Sequence, residues 1–299
     1  MECLILAAGA GSRLHPLTLR HPKPLLPLGD STILGRLVSQ VAELPLKRVL
    51  CNLHHRAEAA QEYFENTELA LPVETRVEEA PRGPSGSMHT FHDELAATDL
   101  VVVLSGDLYL RGDLTELVRA HQESGALLTV LATEVDDGSR FGVFQLDQEG
   151  RPVDLVEKPD WARNRRSWVS GGAYCVDPSL LAEIPADRPH DFGADLIPAL
   201  LARGAPVTLV PWLGRWDDLG TVEAYRSAVL DDLADPADRG RPVTHVSPGA
   251  VVRPGAEFTG RVYIGPGAEV GAGARLHETV LLPGARVAPG TVVAGGCLA

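Results

Sequence analysis

The chain has 299 residues, 44% of them hydrophobic, and a formal net charge of −13 at pH 7. Its length is enough to bury a sizeable core and favours one large domain with a smaller one. The acidic balance argues against nucleic acid and anionic membrane surfaces as partners. No run approaches about 18 apolar residues, so we expect no transmembrane helix and a cytoplasmic protein.

Apolar runs that predict strands alternate with amphipathic runs that predict helices up to residue 233. Such alternation predicts a mostly parallel α/β sheet, whose ligands gather at the carboxyl ends of the strands. The predicted strands are Cys3–Ala7, Arg48–Leu53, Val73–Arg76, Leu100–Leu104, Leu127–Thr133, Gly142–Leu146, Trp168–Val176 and Val207–Val210. The predicted helices are Leu34–Leu44, Arg56–Asn66, Leu114–Gly125, Ala194–Arg203 and Val222–Leu233, with Ser31 or Thr32 as a cap for the first.

A six-residue period begins after His245. Turn residues at a fixed phase accompany it, a pattern typical of a parallel β-helix of hexapeptide repeats, here of roughly three turns, which we expect to be left-handed. We therefore predict a large domain at 1–234, a linker at 235–245 and a β-helix domain at 246–299. The periodic apolar positions are Val246, Val252, Phe258, Ile264, Val270, Leu276 and Leu282, and a slip of one residue then leads to Val287 and Val293.

Four cysteines, Cys3, Cys51, Cys175 and Cys297, are scattered without close spacing. The first three lie in apolar runs, so we expect buried, reduced thiols rather than disulfides or metal ligands.

The first motif is a glycine turn, Gly9-Ala10-Gly11, which follows the first predicted strand. Such a turn presents backbone N–H groups to phosphate. Alone it is a weak signal, because Leu14 replaces the third glycine of a dinucleotide fingerprint and no P-loop follows. Arg13, close after the turn, and Lys23, further on, strengthen the signal. Lys23 is one of only three lysines in a chain that has 24 arginines. The plain alternative is a glycine turn with solvated basic residues.

These residues resemble the signature of the sugar-1-phosphate nucleotidylyltransferases, in Leu6–Leu14, Pro16–Thr18 and Pro22–Pro27. The resemblance implies a Rossmann-like domain in which a sugar-1-phosphate attacks the α-phosphorus of a nucleoside triphosphate and releases pyrophosphate. It also implies nucleotide contacts from Leu6, Ala7, Ala8, Gly9, Gly11, Ser12, Arg13 and Lys23.

Two aspartates match the family's metal positions. Asp107 follows the buried run at Val101, and Asp218 lies in a segment that resembles the family pattern Trp-x-Asp-x-Gly-Thr. The resemblance implies that both hold Mg²⁺, an ion that prefers one or two carboxylates with phosphate and water oxygens. The alternative for Asp107 is a turn-forming residue; Asp113 is interpreted as a helix cap and Asp217 as solvated or supporting.

A third matching region is implied to bind the sugar phosphate. In Glu157-Lys158-Pro159 the carboxylate would accept bonds from sugar hydroxyls and the ammonium would bind the phosphate, while Gly142 would let the sugar approach the backbone. Arg13, Lys23, Asp107, Lys158 and Asp218 form the implied catalytic set. No general base is needed, because the attacking phosphate oxygen is already ionised, so catalysis is positioning and charge stabilisation.

Two segments depart from the family. The nucleobase-side loop, usually Leu-Gly-Thr-Ala-Gly, reads Arg82-Gly83-Pro84-Ser85-Gly86, in which Pro84 removes a backbone donor while Gly83 and Gly86 remain as nucleotide contacts. The usual Asn-Ala-Gly reads Ser170-Gly171-Gly172, with Ser170 and Gly172 as sugar contacts. We hypothesise a modified sugar or cyclitol phosphate. GTP and dTTP are favoured, with UTP, CTP and ATP open.

Other functions and states stay open. A non-catalytic regulatory subunit is one alternative, and a bifunctional enzyme with an acyltransferase β-helix using His245 or His277 is another. The short β-helix has open ends, and open strand edges need covering, which favours a homo-oligomer.

Overall fold

The structure is a computed structural model that describes residues 1–233 and 242–299. The chain forms two compact units. The first unit comprises Met1–Gly9 and Leu37–Trp216, and the second comprises Ala10–Arg36 and Asp217–Ala299. Most of the linker predicted at 235–245 lies outside the described residues, and the domain boundaries predicted from the sequence stay a prediction.

The strands and helices are numbered in chain order. The strands up to residue 218 are β1 (Glu2–Leu6), β2 (Pro27–Leu28), β3 (Ser31–Thr32), β4 (Val49–Leu53), β5 (Val73–Val77), β6 (Val101–Ser105), β7 (Leu108–Arg111), β8 (Leu128–Val135), β9 (Gly142–Leu146), β10 (Pro152–Glu157), β11 (Ser167–Val176), β12 (Val207–Pro211) and β13 (Arg215–Asp218). The later strands are β14 (Val243–Val246), β15 (Val251–Val252), β16 (Glu257–Ile264), β17 (Glu269–Val270), β18 (Arg275–Leu281), β19 (Arg286–Val287), β20 (Val292–Ala294) and β21 (Cys297–Leu298). The α-helices are α1 (Ile33–Val41), α2 (Ala57–Asn66), α3 (His92–Ala96), α4 (Thr115–Ser124), α5 (Ile197–Ala202) and α6 (Val222–Asp232).

A nine-stranded mixed sheet forms the centre of the first unit. Its order is β10-β9-β11-β6-β1-β4-β5, with β8 beside β11 and β12 beside β8. The pairs β6-β1, β1-β4, β4-β5 and β8-β12 are parallel, whereas β11 runs antiparallel to β6, β8 and β9. The parallel-rich α/β prediction is confirmed, and the carboxyl ends of β1, β4 and β6 meet at one edge.

The core of this unit comes from continuous apolar strands, because strands covered on both faces need no polar alternation. Leu4, Val103 and Val130 are fully buried in the sheet, and Phe91 and Ile197 are fully buried in the segments packed against it. Cys3, Cys51 and Cys175 are buried and free, and burial raises the pKa of Cys51 to about 12. In the described part of the chain, no helix is both long and apolar enough to cross a bilayer.

The second unit joins α6 to two sets of short parallel strands. One set is β14-β16-β18-β20, with β21 also beside β18, and the other is β15-β17-β19. Val251 pairs with Glu269 and Glu257 with Arg275, an offset of 18 residues each time. Ile264, Val270 and Leu282 are fully buried, as their periodic positions predict.

The elements differ from prediction mainly around residue 194. The segment predicted as one helix over Ala194–Arg203 begins with a π-helical turn at Phe192–Leu196 and continues as α5. Asp191 caps this turn by accepting hydrogen bonds from the N–H groups of Gly193 and Ala194. Pro198 follows within the first turn of α5, where its missing N–H is tolerated. Strands β2, β3, β7, β10 and β13 and helix α3 were not predicted. Thr32 does cap α1, accepting from the Gly35 N–H at 3.0 Å.

Candidate active site

The first unit places Leu6 and Asp107 at the carboxyl ends of neighbouring strands β1 and β6. Gly106 donates its N–H to the Leu6 carbonyl at 2.8 Å. A methyl group at Gly106 would lie 2.4 Å from that carbonyl oxygen, so the close approach requires glycine. Asp107 follows directly and is half-buried. The structure thus puts this predicted carboxylate at the ligand edge of the sheet.

A buried polar network supports the loop after β1. Asn52, at the end of β4, accepts from the Ala7 N–H at 2.9 Å. Its amide donates to Glu78 Oε1 at 2.9 Å and to Ser87 Oγ at 3.0 Å. Thr90 donates to the same Glu78 oxygen at 2.7 Å. Because each buried polar group is satisfied, this network fixes Ala7 relative to the segment that follows residue 78.

The nucleobase-side loop, Arg82–Gly86, is held by His190. The His190 carbonyl accepts from the N–H groups of Ser85 and Gly86, at 3.1 and 3.0 Å, and its own N–H donates to the Arg82 carbonyl at 2.9 Å. The Ser85 hydroxyl and His190 Nδ1 lie 2.8 Å apart in a buried pair. Burial lowers the pKa of His190, which favours the neutral ring.

Glu157 and Lys158 form the sugar-phosphate pair that the sequence predicts. Lys158 Nζ donates to Glu157 Oε1 at 2.6 Å. Methyl groups at Gly142 and Gly193 would lie 3.0 and 2.9 Å from Glu157 Oε2, so two glycines leave room for this carboxylate. Lys158 has a φ of 47°, a left-handed backbone that is uncommon for a side-chain-bearing residue and concentrates at functional sites.

The strand that carries Ser170 and Gly172 has a bulge at those residues. The register of β11 against β8 shifts between Ser170 and Tyr174, and Gly172 takes a φ of 73° there. Ser170 Oγ lies 3.1 Å from the Tyr174 hydroxyl. Burial raises the pKa of Tyr174, the hydrogen bond with Ser170 opposes this rise, and Asp191, Glu157 and Asp107 add to it, so the hydroxyl is neutral.

The second unit contains Ala10 and Gly11 of the glycine turn and Lys23. Gly11 has a φ of 64°, and a methyl group there would lie 2.9 Å from Lys23 Cβ and 3.2 Å from Thr18 Cγ2. The Thr18 hydroxyl donates to the Gly11 carbonyl at 2.9 Å. Lys23, between two prolines in a 3₁₀ turn, is only 9% exposed. The stem of Lys23 therefore packs on the turn that the sequence predicts to bind phosphate.

Arg13 and Asp218 meet at Gly220 in the same unit. A methyl group at Gly220 would lie 2.9 Å from both Arg13 Nη2 and Asp218 Oδ1. Thr221 then caps α6 by accepting from the Ala224 N–H at 3.2 Å. A predicted phosphate-binding cation and a predicted metal-binding carboxylate are thus neighbours, although 205 positions separate them in the chain.

The predicted site residues fall into two sets. The first unit holds Leu6, Ala7, Ala8, Gly9, Gly83, Gly86, Asp107, Gly142, Glu157, Lys158, Ser170 and Gly172, and the second holds Gly11, Ser12, Arg13, Lys23 and Asp218. Over residues 1–233 and 242–299, no group of three or more His, Cys, Asp and Glu side chains forms a preassembled metal cluster.

Sequence reasoning missed Asn52, His190 and Gly193, which contact predicted site residues from distant parts of the chain, and Glu78, which accepts a hydrogen bond from Asn52. Asn52 had one visible signal, a polar residue inside an apolar strand. The other three lie in segments without a recognisable pattern.

Comparisons with known proteins identify the family of this chain. The family model described as "Nucleotidyl transferase" matches residues 2–235. A mannose-1-phosphate guanylyltransferase of Mycobacterium tuberculosis is 31% identical, over 98% of this chain and 83% of the relative. A UTP–glucose-1-phosphate uridylyltransferase of Synechocystis is 28% identical, over 98% of this chain and 81% of the relative.

A solved structure from Bacillus anthracis, titled a glucose-1-phosphate thymidylyltransferase, superposes with a TM-score of 0.66 at 25% identity. It covers 76% of this chain and 93% of its own. With the family model spanning the strands and loops that carry Arg13, Lys23, Asp107, Lys158 and Asp218, the chain belongs to the nucleotidyl transferase family.

Proposed function

We propose that this chain transfers a nucleotidyl group from a nucleoside triphosphate to a sugar-1-phosphate. The phosphate oxygen of the sugar attacks the α-phosphorus, and the bond from that phosphorus to pyrophosphate breaks. The family match over residues 2–235, with Arg13, Lys23, Asp107, Lys158 and Asp218 all present, carries the proposal. The relatives are named as enzymes, which gives no support to a non-catalytic regulatory subunit or to an acyltransferase.

In this proposal the nucleotide is bound by the loop after β1 and by the glycine turn. Leu6, Ala7, Ala8, Gly9, Gly11 and Ser12 contact the nucleotide, Arg13 binds phosphate through a planar fork, and Lys23 adds a compact charge. The nucleobase contacts come from Gly83 and Gly86. Since a guanylyltransferase is 31% identical, GTP is the first triphosphate to test, and dTTP the second.

Asp107 and Asp218 are the proposed ligands of Mg²⁺. Two carboxylates suit an ion that completes its coordination with phosphate oxygens and water. When bound, Mg²⁺ would neutralise charge on the transferred phosphate.

The sugar-1-phosphate would lie on Glu157, Lys158, Gly142, Ser170 and Gly172. Glu157 Oε1 is bonded to Lys158, which leaves Oε2, beside two glycines, to accept from a sugar hydroxyl. Ser170 has a shorter side chain than the amide found in relatives of this signature, and its hydroxyl pairs with Tyr174. We therefore propose a modified sugar or cyclitol phosphate rather than glucose or mannose phosphate.

We further propose that the parallel strands from β14 to β21 form a left-handed β-helix of hexapeptide repeats. The offset between paired strands is 18 residues, or three hexapeptides, up to the Thr259–His277 pair and 17 residues from the Val262–Thr279 pair onward. The apolar positions repeat every six residues as far as Leu282. We also propose a homo-oligomer that functions in the cytoplasm, where buried free thiols such as Cys3 and Cys51 stay reduced.

The test is pyrophosphate release by the full chain with Mg²⁺, using five nucleoside triphosphates against a panel of sugar-1-phosphates and cyclitol phosphates. We expect turnover with at least one pair, and its loss in Asp107→Ala. Absence of turnover with every pair would contradict the proposed function, and intact turnover in Asp107→Ala would contradict the metal assignment. A clear preference for glucose or mannose phosphate would overturn the sugar proposal alone.

A further inference from the structure

Residues His190–Gly193, the 190–193 segment, contact both predicted substrate-binding regions of the first unit. At its start, three backbone hydrogen bonds join His190 to Arg82, Ser85 and Gly86. At its end, Gly193 lies against Glu157, where a methyl group would come within 2.9 Å of Oε2. Four consecutive residues therefore reach from the nucleobase-side loop to the sugar-side carboxylate.

The side chain of His190 adds a specific bond to the nucleobase-side loop. Ser85 is fully buried, His190 is 7% exposed, and the distance from Ser85 Oγ to His190 Nδ1 is 2.8 Å. A methyl group at Gly83 would lie 2.5 Å from the His190 carbonyl oxygen, so the loop is in close contact with the segment. Such a contact fixes the backbone of the loop.

Phe192 contacts the residues on the sugar side. Its ring stacks on Tyr174 with centroids 4.1 Å apart and an interplanar angle of 10°. Tyr174 in turn holds Ser170 at 3.1 Å. Asp191 keeps the segment rigid by accepting from the N–H groups of Gly193, at 2.7 Å, and Ala194, at 3.0 Å.

We propose that the 190–193 segment is a positioning element that sets substrate selectivity, with His190 acting on the nucleotide and Phe192 on the sugar. The inference rests on the proposed function, because it assigns the two ends of the segment to the two substrates. His190 touches neither substrate; it acts through Ser85 and the backbone of the loop. Phe192 acts through Tyr174.

The experiment compares His190→Phe, Ser85→Ala and the double variant in the full chain. Losing one buried hydrogen bond should raise the KM and the Kd for the nucleoside triphosphate about tenfold in each single variant. The double variant should bind the triphosphate as tightly as either single variant does, because each single substitution already removes the same hydrogen bond. The KM for the sugar-1-phosphate and kcat should stay within about twofold. His190→Asn, which restores an acceptor and a donor near the Nδ1 position, should recover most of the affinity.

Phe192→Leu should affect the sugar-1-phosphate and not the triphosphate. It should raise the KM for the sugar-1-phosphate about fivefold, through loss of the aromatic stack, and leave the Kd for the triphosphate unchanged. The control is His92→Phe, at an exposed histidine of α3, which should change neither constant.

Calorimetric titration of each protein with the triphosphate alone distinguishes failure of the proposed function from failure of the inference. Wild-type protein that binds no triphosphate would overturn the proposed function and the inference with it. Wild-type protein that binds, with His190→Phe and Ser85→Ala binding equally well, would overturn the inference alone. A parallel rise in both KM values would also overturn it, since that is the result of a general packing role. If His190→Phe fails to fold, Ser85→Ala and His190→Asn decide the question.

Discussion

Lys23 is a positive charge in a confined place. The chain uses arginine in 24 of its 27 basic positions, yet it has lysine at the one site where the side chain packs on a glycine turn. An ammonium group on a flexible stem occupies less space than a guanidinium and presents a point charge. We attribute the choice of lysine over arginine at this position to the confined space more than to the charge.

We expect Lys23→Arg to reduce kcat/KM by at least about 100-fold although the charge is kept, because the wider group displaces the turn at Gly11. The matched control is Lys47→Arg, at an exposed lysine, which should stay within about twofold. Pyrophosphate release under identical conditions measures both. Near-normal turnover of Lys23→Arg would contradict the role given to this lysine.

The candidate site residues could be proposed from the sequence, and the residues that contact them could not. Arg13, Lys23 and Asp107 lie in segments whose composition is unusual, with glycines, prolines and a carboxylate after a buried strand. His190 acts on Ser85 from 105 positions away, through bonds that no local pattern announces. Long-range contacts of this kind are fixed only when the sheet and its loops fold together.

His121 supplies a pH-dependent contribution to stability. It lies on α4 and is buried against β8, where its Nδ1 lies 2.9 Å from Thr129 Oγ1. Burial lowers the pKa of His121 from 6.5, an effect that Asp177 partly opposes. The unfolded chain therefore binds a proton at a higher pH than the folded chain does. Stability is unaffected well above pH 6.5 and falls as the pH drops through 6.5 toward the folded pKa.

Accordingly, His121→Gln should flatten the pH dependence of the free energy of unfolding between pH 7.5 and pH 5, because glutamine keeps a hydrogen bond to Thr129 without titrating. The slope removed is at most about 1.4 kcal/mol per pH unit. Urea denaturation at several pH values measures it, with His92→Gln, at an exposed histidine, as the control. Equal slopes in wild type and His121→Gln would refute this assignment.

Among the elements, long apolar strands were predicted most reliably. β9 (Gly142–Leu146) matches its prediction at both ends, because an apolar run that begins at a glycine defines the position of the strand well. β10 was missed, since its alternation of Val153, Asp154 and Leu155 is short and half-exposed. The π-helical turn at Phe192 was missed as well, because it depends on the side chain of Asp191 and on tertiary packing.

Helix α6 is joined to the segment that contains Lys23. Tyr225 is fully buried, and its hydroxyl donates to the Pro27 carbonyl at 2.7 Å, four residues after Lys23. The same helix begins at Thr221, directly after the Asp218–Gly220 contact. One helix thus links the ends of two predicted functional segments in the second unit.

Tyr225→Phe should destabilise the protein by about 1–3 kcal/mol, because it leaves the buried Pro27 carbonyl without its donor while keeping the ring. Thermal and urea unfolding measure the change. Ser227→Ala removes a hydroxyl from an exposed position of the same helix and should stay within about 0.5 kcal/mol. Equal stability of the two variants would show that the Tyr225 bond contributes nothing.

At the scale of the whole molecule, the strands after residue 242 leave an apolar surface at their beginning. In residues 1–233 and 242–299, β14 pairs only with β16 and β15 only with β17. Val246 and Val252 hold periodic positions that are buried further along, yet they are 47% and 39% exposed. Exposed apolar side chains on strands that are paired along one edge only are a typical oligomer contact.

We therefore expect the wild-type protein to have a solution mass of at least twice its chain mass of 31.9 kDa, with a second copy covering Val246 and Val252. The double variant Val246→Lys and Val252→Lys should shift the mass to 31.9 kDa, because apposed lysines repel and lose the apolar burial. Light scattering after size-exclusion chromatography measures this, with circular dichroism to verify folding. Val153→Lys, at a valine of β10 that is 52% exposed, should leave the mass unchanged. A wild-type mass of one chain, or an assembly that withstands the double lysine variant, would remove this surface from consideration as the subunit contact.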